Sequence, residues 1–327
     1  MSASNQGNQG NQGNQGNQGN QGNQGNQGNQ GNQGNQGNQG NQGNAGYAGG
    51  SGGWYFPDRV DLPFVASPSG TPFKPLRDPD WRAGHDGRFG RRWASEWRAW
   101  HLLAEFTDTP AWRYRQRESG KGAAGEGGLA LVGWRERLTR DGGNLTEAVN
   151  AEIDALILLA EDERPDAMGE ILAQSGSFIV EFMGLLCATP GSHPATFAAI
   201  QAANLIGGLA VQHFKMIEDR RRPSQVCAAL RPPIEVPGHA SYPSGHATQA
   251  SLIAQALGAI LAETPAAACL PAVQVLAERV ARNREIAGLH YPSDSEAGQE
   301  LASAVAAAMR QTPGAAALLR AARAEWN

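Results

Sequence analysis

Three short stretches of the chain carry residue types suited to gripping a small anion with several oxygens and moving a proton beside it. In the first, Lys215 and Arg222 stand seven residues apart, with Pro223 directly after. Seven residues are nearly two helical turns, so a helix would send both side chains the same way. Proline restricts the residue before it, so the spacing predicts that this helix stops at Arg222. A point charge beside a planar guanidinium fork suits such an anion. The run Arg220, Arg221 and Arg222 also reads as a solvated basic patch balanced by Glu218 and Asp219.

The second stretch, Tyr242-Pro243-Ser244-Gly245-His246, precedes an apolar helical run, Leu252 to Leu261. A tight turn at a helix start exposes backbone N–H groups and the positive end of the helix dipole, which together favour an anion. Ser244 would add a hydroxyl donor, and Gly245 lets the backbone N–H approach closely. His246 brings a ring whose usual pKa suits proton transfer near neutrality. A plain N-cap with a surface histidine is the alternative. In the third stretch, Gly288 is predicted to end a helix, letting His290 curl back toward Arg284. Asp294, four residues on, could accept the second ring N–H of His290 and fix its tautomer. Ser293 with Glu296 also resembles a capping box for the next helix.

Apolar periodicity places these stretches among helices. Val149, Ile153, Leu156 and Ile157 form a helical stripe over 145–160, with Asn144 as its cap. Further helices are expected over 166–187, 194–219, 245–263, 271–287, 295–310 and 313–325, all rich in alanine. No run of alternating β-branched residues points to a sheet. The expected fold is therefore all-α, a single helical bundle around one core. Ahead of it, Trp93, Trp97 and Trp100 share one face of a helix over 91–106. That face is expected to pack on the main domain, with a dimer contact or a ligand wall as the alternative.

The order Lys-x6-Arg-Pro, Pro-Ser-Gly-His, Arg-x5-His-x3-Asp resembles the superfamily of type 2 phosphatidic acid phosphatases and vanadium-dependent haloperoxidases, over Lys215 to Asp294. Asn283 departs from the serine that many members have before the arginine. The resemblance implies that Lys215, Arg222, Arg284, Ser244 and the Gly245 N–H bind oxyanion oxygens. It implies that His290 bonds the central atom, phosphorus or vanadium, and that His246 is the acid–base residue. His239, seven residues before His246, resembles the soluble haloperoxidase-like branch, where it would lie near vanadate. It also reads as a loop residue after Pro237-Gly238. The leading expectation is therefore peroxide-driven halide oxidation at vanadate held by His290. The alternative is phosphate monoester hydrolysis through a phosphohistidine, with no cofactor. A scaffold that binds oxyanions without catalysis is a third, remote reading.

The rest of the sequence sets limits. From Asn5 to Gly43 the triplet Asn-Gln-Gly repeats without interruption, and with nothing apolar to bury it reads as a disordered polar tail. Glycine recurs as in collagen, but the tract has no proline. The expected organisation is a tail over 1–53, a wrapping segment with one Trp-rich helix over 54–140, and a helical catalytic domain over 141–327. A Gly- and charge-rich loop is expected over 115–128. A net charge of −4 offers no nucleic-acid footprint. Cys187, Cys227 and Cys269 match no zinc or disulfide spacing and read as small buried apolar residues. No signal peptide and no uninterrupted apolar span of about 18 residues is visible, so a cytoplasmic protein is expected. Its partners would be a phosphate ester, or peroxide and halide, and homo-oligomerisation through the tail or the tryptophans is compatible with this reading.

Overall fold

The computed structural model describes residues 94–113, 116–118 and 128–327. The Asn-Gln-Gly tract and residues 54–93, Trp93 among them, lie outside the described residues. Within them the chain forms α1 (Ser95–Thr107), α2 (Pro110–Arg113), strands β1 (Gln116–Glu118) and β2 (Ala130–Val132), α3 (Trp134–Thr139), α4 (Leu145–Asp162), α5 (Arg164–Gly176), α6 (Ile179–Leu185) and α7 (Pro194–Glu218). The short α8 (Pro223–Val226) leads to α9 (Gly245–Leu261), α10 (Leu270–Ile286), α11 (Pro292–Arg310) and α12 (Pro313–Arg323). The all-α expectation holds, apart from β1 and β2, which pair in parallel. β1 falls inside the expected 115–128 loop, most of which is not described.

Helix α9 is the axis of the bundle, packed against α7, α10 and α11, while α1 and α12 close over α7. Alanine makes this close packing feasible: Ala198, Ala203, Ala210, Ala247 and Ala250 are all fully buried. Helix α7 is long and apolar enough to cross a membrane, yet 72 % of its most apolar window is buried, the setting of a bundle's core helix. A second, smaller core joins Ile153, Leu156 and Leu159 of α4 to Ile171, Leu289 and Tyr291. Full burial of Leu156 alone contributes about 2 kcal/mol. Because Leu289 and Tyr291 flank His290, this core anchors the loop that presents it.

Several expected boundaries move. Asn144 caps α4 as expected, accepting from the N–H groups of Thr146 and Glu147 at 2.8 and 3.3 Å. The helix expected over 166–187 is broken, because Ser177 adopts an extended backbone between α5 and α6. Helix α7 ends at Glu218, four residues before Arg222, because Asp219 turns left-handed at φ 40°. Pro223 then starts α8 instead of ending α7. The tryptophan face also corrects the expectation: α1 buries Ala99, Leu102 and Phe106, whereas Trp97 and Trp100 are 61 % and 48 % exposed. A helix packed on one side against α7 buries one stripe, and Ala99, Leu102 and Phe106 occupy it. Cys187 is exposed and Cys227 and Cys269 only partly buried, so none is the buried apolar residue expected.

Candidate active site

His290 is the centre of the site. Gly288, at φ +72°, follows α10 and turns the chain, so that the N–H groups of Leu289 and His290 both return to the Arg284 carbonyl at 3.0 and 3.3 Å. Tyr291 then leads into α11, whose first turn carries Asp294. His290 Nδ1 lies 3.1 Å from Asp294 Oδ2, and its Nε2 lies 3.0 Å from an Arg222 guanidinium nitrogen. An ionised carboxylate can only accept, so Nδ1 carries the proton and donates. Nε2 is thereby left with its lone pair. Burial pushes the ring's pKa well below its ordinary value, although Asp294 opposes that, so the imidazole is neutral. That lone pair accepts from Arg222, and once an anion draws the guanidinium to itself the neutral imidazole is a nucleophile or a ligand.

Asp294 is itself held from several sides. Burial alone would raise its pKa, but Arg220 and the bonds from His290 and Ser241 hold it well below the usual carboxylate range. Its Oδ1 accepts from Arg220 at 2.7 Å. Its Oδ2 accepts from Ser241 Oγ at 2.5 Å and from the Tyr291 N–H at 3.1 Å. That last bond corrects the capping assignment. Asp294 caps the start of α11, while Ser293 Oγ accepts from Arg220 and Glu296 has no part in it. Capping and tautomer control therefore coexist on one carboxylate.

Arg220 corrects the solvated-run reading. It is 3 % exposed, lies 3.6 Å from the Tyr291 ring centroid, and also pairs with Glu152 at 2.6 Å. Burial opposes its charge, but Asp294 and Glu152 more than offset that and raise its pKa. Sequence reasoning missed Arg220, Glu152, Ser241 and Gln174 as supports of the site. An arginine two residues ahead of the Arg-Pro pair is the one signal that was visible.

Lys215, Arg222 and Arg284 behave differently. They are 2 %, 1 % and 2 % exposed, yet none forms a salt bridge among the described residues. Lys215 Nζ donates to the carbonyls of Ala240 and Ser241 at 2.6 and 2.7 Å. Arg222 donates to the carbonyls of His239 and Leu289 at 3.1 and 3.0 Å. Arg284 reaches the Ile171 carbonyl at 3.1 Å, while its Nε is buried with no partner. Burial lowers all three: Lys215, with Arg222 adding repulsion, to about 7, and Arg222 and Arg284 each to about 10. Buried cations without a carboxylate are costly unless an anion joins them.

Two cavities meet here. One, of about 450 Å³, is bounded by Lys215, Arg222, His239, Gly245, His246 and His290 together with residues of α1 and α7. The other, of about 560 Å³, brings in Arg284 and shares Arg222, His246 and His290. The three stretches of sequence thus converge. His239 is exposed, with Nδ1 3.1 Å from Arg222, so it joins the pocket rim as well as its loop. Ser244 does not reach either cavity wall. It is fully buried behind Gly245, and its hydroxyl accepts weakly from the Ala247 N–H at 3.4 Å, the N-cap alternative. Gly298 fixes this corner, because a Cβ there would come 2.8 Å from the Ser244 carbonyl.

His246 is partly exposed and stands against the Phe178 ring, with Nε2 3.2 Å from the Gln174 carbonyl. A carbonyl only accepts, so Nε2 holds the proton and Nδ1 the lone pair. The expectation of a near-neutral pKa needs correcting. Burial first, then the Arg284 charge, lowers it to about 3, so this ring is neutral while the pocket lacks an anion. Asn283 bonds the side chains of Glu170 and Gln174 at 3.0 and 2.9 Å. Its departure from the family pattern thus bears on the residue that holds His246, not on the pocket itself.

Residues 196–316 match the family model of the PAP2 superfamily. The match covers every motif residue above and supports assignment to that superfamily, with an enzyme of phosphatase/haloperoxidase type. The all-α bundle agrees with a PAP2-type domain. Residues 2–54 match a model described as collagen triple helix repeat, the pattern of glycine at every third position. No curated protein matches the chain.

Proposed function

We propose that this chain is an enzyme that works on a tetrahedral oxyanion bound at His290 Nε2, and that its reaction is hydrolysis of a phosphate monoester. The observation that carries the reading is the convergence of three buried cations, none in a salt bridge among the described residues, and two neutral imidazoles on two adjoining cavities that share Arg222, His246 and His290. The cations would take the phosphoryl oxygens and stabilise charge as it grows during in-line transfer. His290 Nε2 attacks phosphorus, a P–N bond forms, and the P–O bond to the leaving alcohol breaks. His246 gives a proton to that oxygen. A dianion offsets the charges of Arg284, Arg222 and Lys215, raising the depressed pKa of His246, so the proton enters with the substrate. Water then attacks phosphorus as His246 Nδ1 takes its proton, the P–N bond breaks with His290 as the leaving group, and phosphate departs.

The second reading rests on His239 beside Arg222. Vanadate would fit the same residues, since the orphaned Arg284 Nε and the unprotonated Nε2 of His290 beside Arg222 suit any tetrahedral oxyanion. Lys215, Arg222, Arg284 and the Gly245 N–H would hold it, and it would supply peroxide activation and halide oxidation. In that chemistry His246 would move a proton at Nδ1. A continuing cavity with room for an organic leaving group favours hydrolysis over halide oxidation. The deciding experiment pairs aryl phosphate hydrolysis with peroxide-dependent bromination after vanadate loading. Hydrolysis that vanadate inhibits, with no bromination, is the expected result. Bromination without hydrolysis would reverse the assignment.

A further inference from the structure

We propose that α1 completes the active site: Trp100 and Leu103 form, with Leu205 and Leu209 of α7, the wall that holds an aromatic group carried on the bound oxyanion. This rests on the oxyanion reading above and adds the class of substrate. Helix α1 has two working faces. Ala99, Leu102 and Phe106 are buried in the core, whereas Trp100 and Leu103, three residues apart, bound the 450 Å³ cavity. Across from them, one face of α7 runs from Asn204 past Gly208 to Lys215. At 1.5 Å per residue, that face extends the cavity about 16 Å from the lysine. An inorganic anion fills only the cationic end. The remainder is walled by side chains left partly exposed, Trp100 at 48 % together with Leu103, Leu205 and Leu209, beside a core of buried Ala99, Leu102 and Phe106. Covering such a wall with an apolar group is favourable.

The wall suits a ring better than an alkyl chain. Trp100 offers a flat face for offset stacking. The carboxamides of Asn204 and Gln249 interrupt the leucines, and Gln249 Nε2 is committed to the Asn204 carbonyl at 3.0 Å. Gln249 Oε1 is then oriented to accept from a polar ring substituent, whereas an alkyl chain would strip water from these amides and give nothing in return. Helix α1 lies outside residues 196–316, so Trp100 and Leu103 belong to a part of the chain that the superfamily match does not reach, whereas Asn204, Leu205, Leu209 and Gln249 lie within it.

The test uses the full chain and calorimetric titration with inorganic phosphate, benzylphosphonate and octylphosphonate. Benzylphosphonate is expected to bind about tenfold tighter than phosphate, the scale of one aromatic contact with its buried area. Trp100→Ala is expected to bring the ratio of the two affinities close to one, and Leu209→Ala to lower it. Octylphosphonate binding tighter than benzylphosphonate would overturn the proposal. So would no gain for benzylphosphonate, or a gain untouched by both variants. In each case phosphate binding would leave the oxyanion pocket standing. Failure of all three anions to bind would instead remove the pocket reading itself.

Discussion

Lys215 makes anion binding depend on pH in a way that can be worked from the structure. Its ammonium is buried beside Arg222, and its pKa falls to about 7. Arg222 and Arg284 stay charged to about 10, and His246, at about 3, and His290, well below its ordinary value, are already neutral. Between pH 7 and 9 Lys215 is therefore the pocket cation that titrates. Sulfate keeps its charge across this range and serves as the probe. Below pH 7 the lysine is charged and sulfate binds at full strength. Above it, binding must first restore the proton, at about 1.4 kcal/mol per unit of pH. By pH 9 the affinity should be lower by about a hundredfold, with close to one proton taken up per sulfate bound near pH 8. The fold moves the opposite way. A lysine depressed in the folded state leaves the unfolded chain holding more protons from pH 7 toward 10.5, so the sulfate-free protein gains stability over that window. Calorimetry in two buffers of different ionisation enthalpy reads both affinity and proton uptake. A flat affinity from pH 7 to 9, or an unchanged slope in Lys215→Met, would refute the reasoning.

Other outcomes follow from the same geometry. His290→Ala should abolish turnover while leaving sulfate binding measurable, and retained turnover in a steady-state assay would exclude the shared chemistry. Arg284→Ala and Arg222→Ala should each weaken sulfate by about 2 kcal/mol, because a charge-assisted contact to the anion is lost, and matching isotherms would contradict this. Gly298→Ala should cost about 1–3 kcal/mol in denaturant unfolding, since its Cβ meets the Ser244 carbonyl at 2.8 Å and must push α11 from α9. A wild-type midpoint in that variant would mean this corner relaxes freely.

Much of the site was legible because its residues sit at helix ends, where local rules act. Gly288 ends α10, and His290 returns to Arg284, as the spacing implied. What could not be read depended on neighbours distant in sequence. The helix over 194–219 stands, but Arg222 does not end it, because Asp219 turns the chain left-handed before Pro223. The pKa of His246 follows from burial and from Arg284, 38 residues away in the chain, and no local pattern carries it. The tryptophans misled because periodicity identifies an apolar face without saying what covers it. On α1 the core takes Ala99, Leu102 and Phe106, and the larger residues turn outward.

Arg220 and Arg222 show how folding separates like residues two positions apart. Both are buried, although from sequence only Arg222, seven residues after Lys215 and just before Pro223, stands out from the basic run. Arg220 finds Asp294, Glu152 and the Tyr291 face, and its pKa rises above the usual value. Arg222 finds carbonyls and imidazole nitrogens, and its pKa falls. The first arrangement is complete without a ligand. The second keeps a desolvated charge with no ion pair among the described residues, and Lys215 and Arg284 share that condition. The contrast lies in the partners: Arg220 is held by two carboxylates, whereas Arg222, Lys215 and Arg284 reach carbonyls and line the cavities. Burial opposes the charge of all three more than Asp294 and Glu181 offset it, so on the proposed reading an oxyanion that neutralises them should stabilise the fold as it binds.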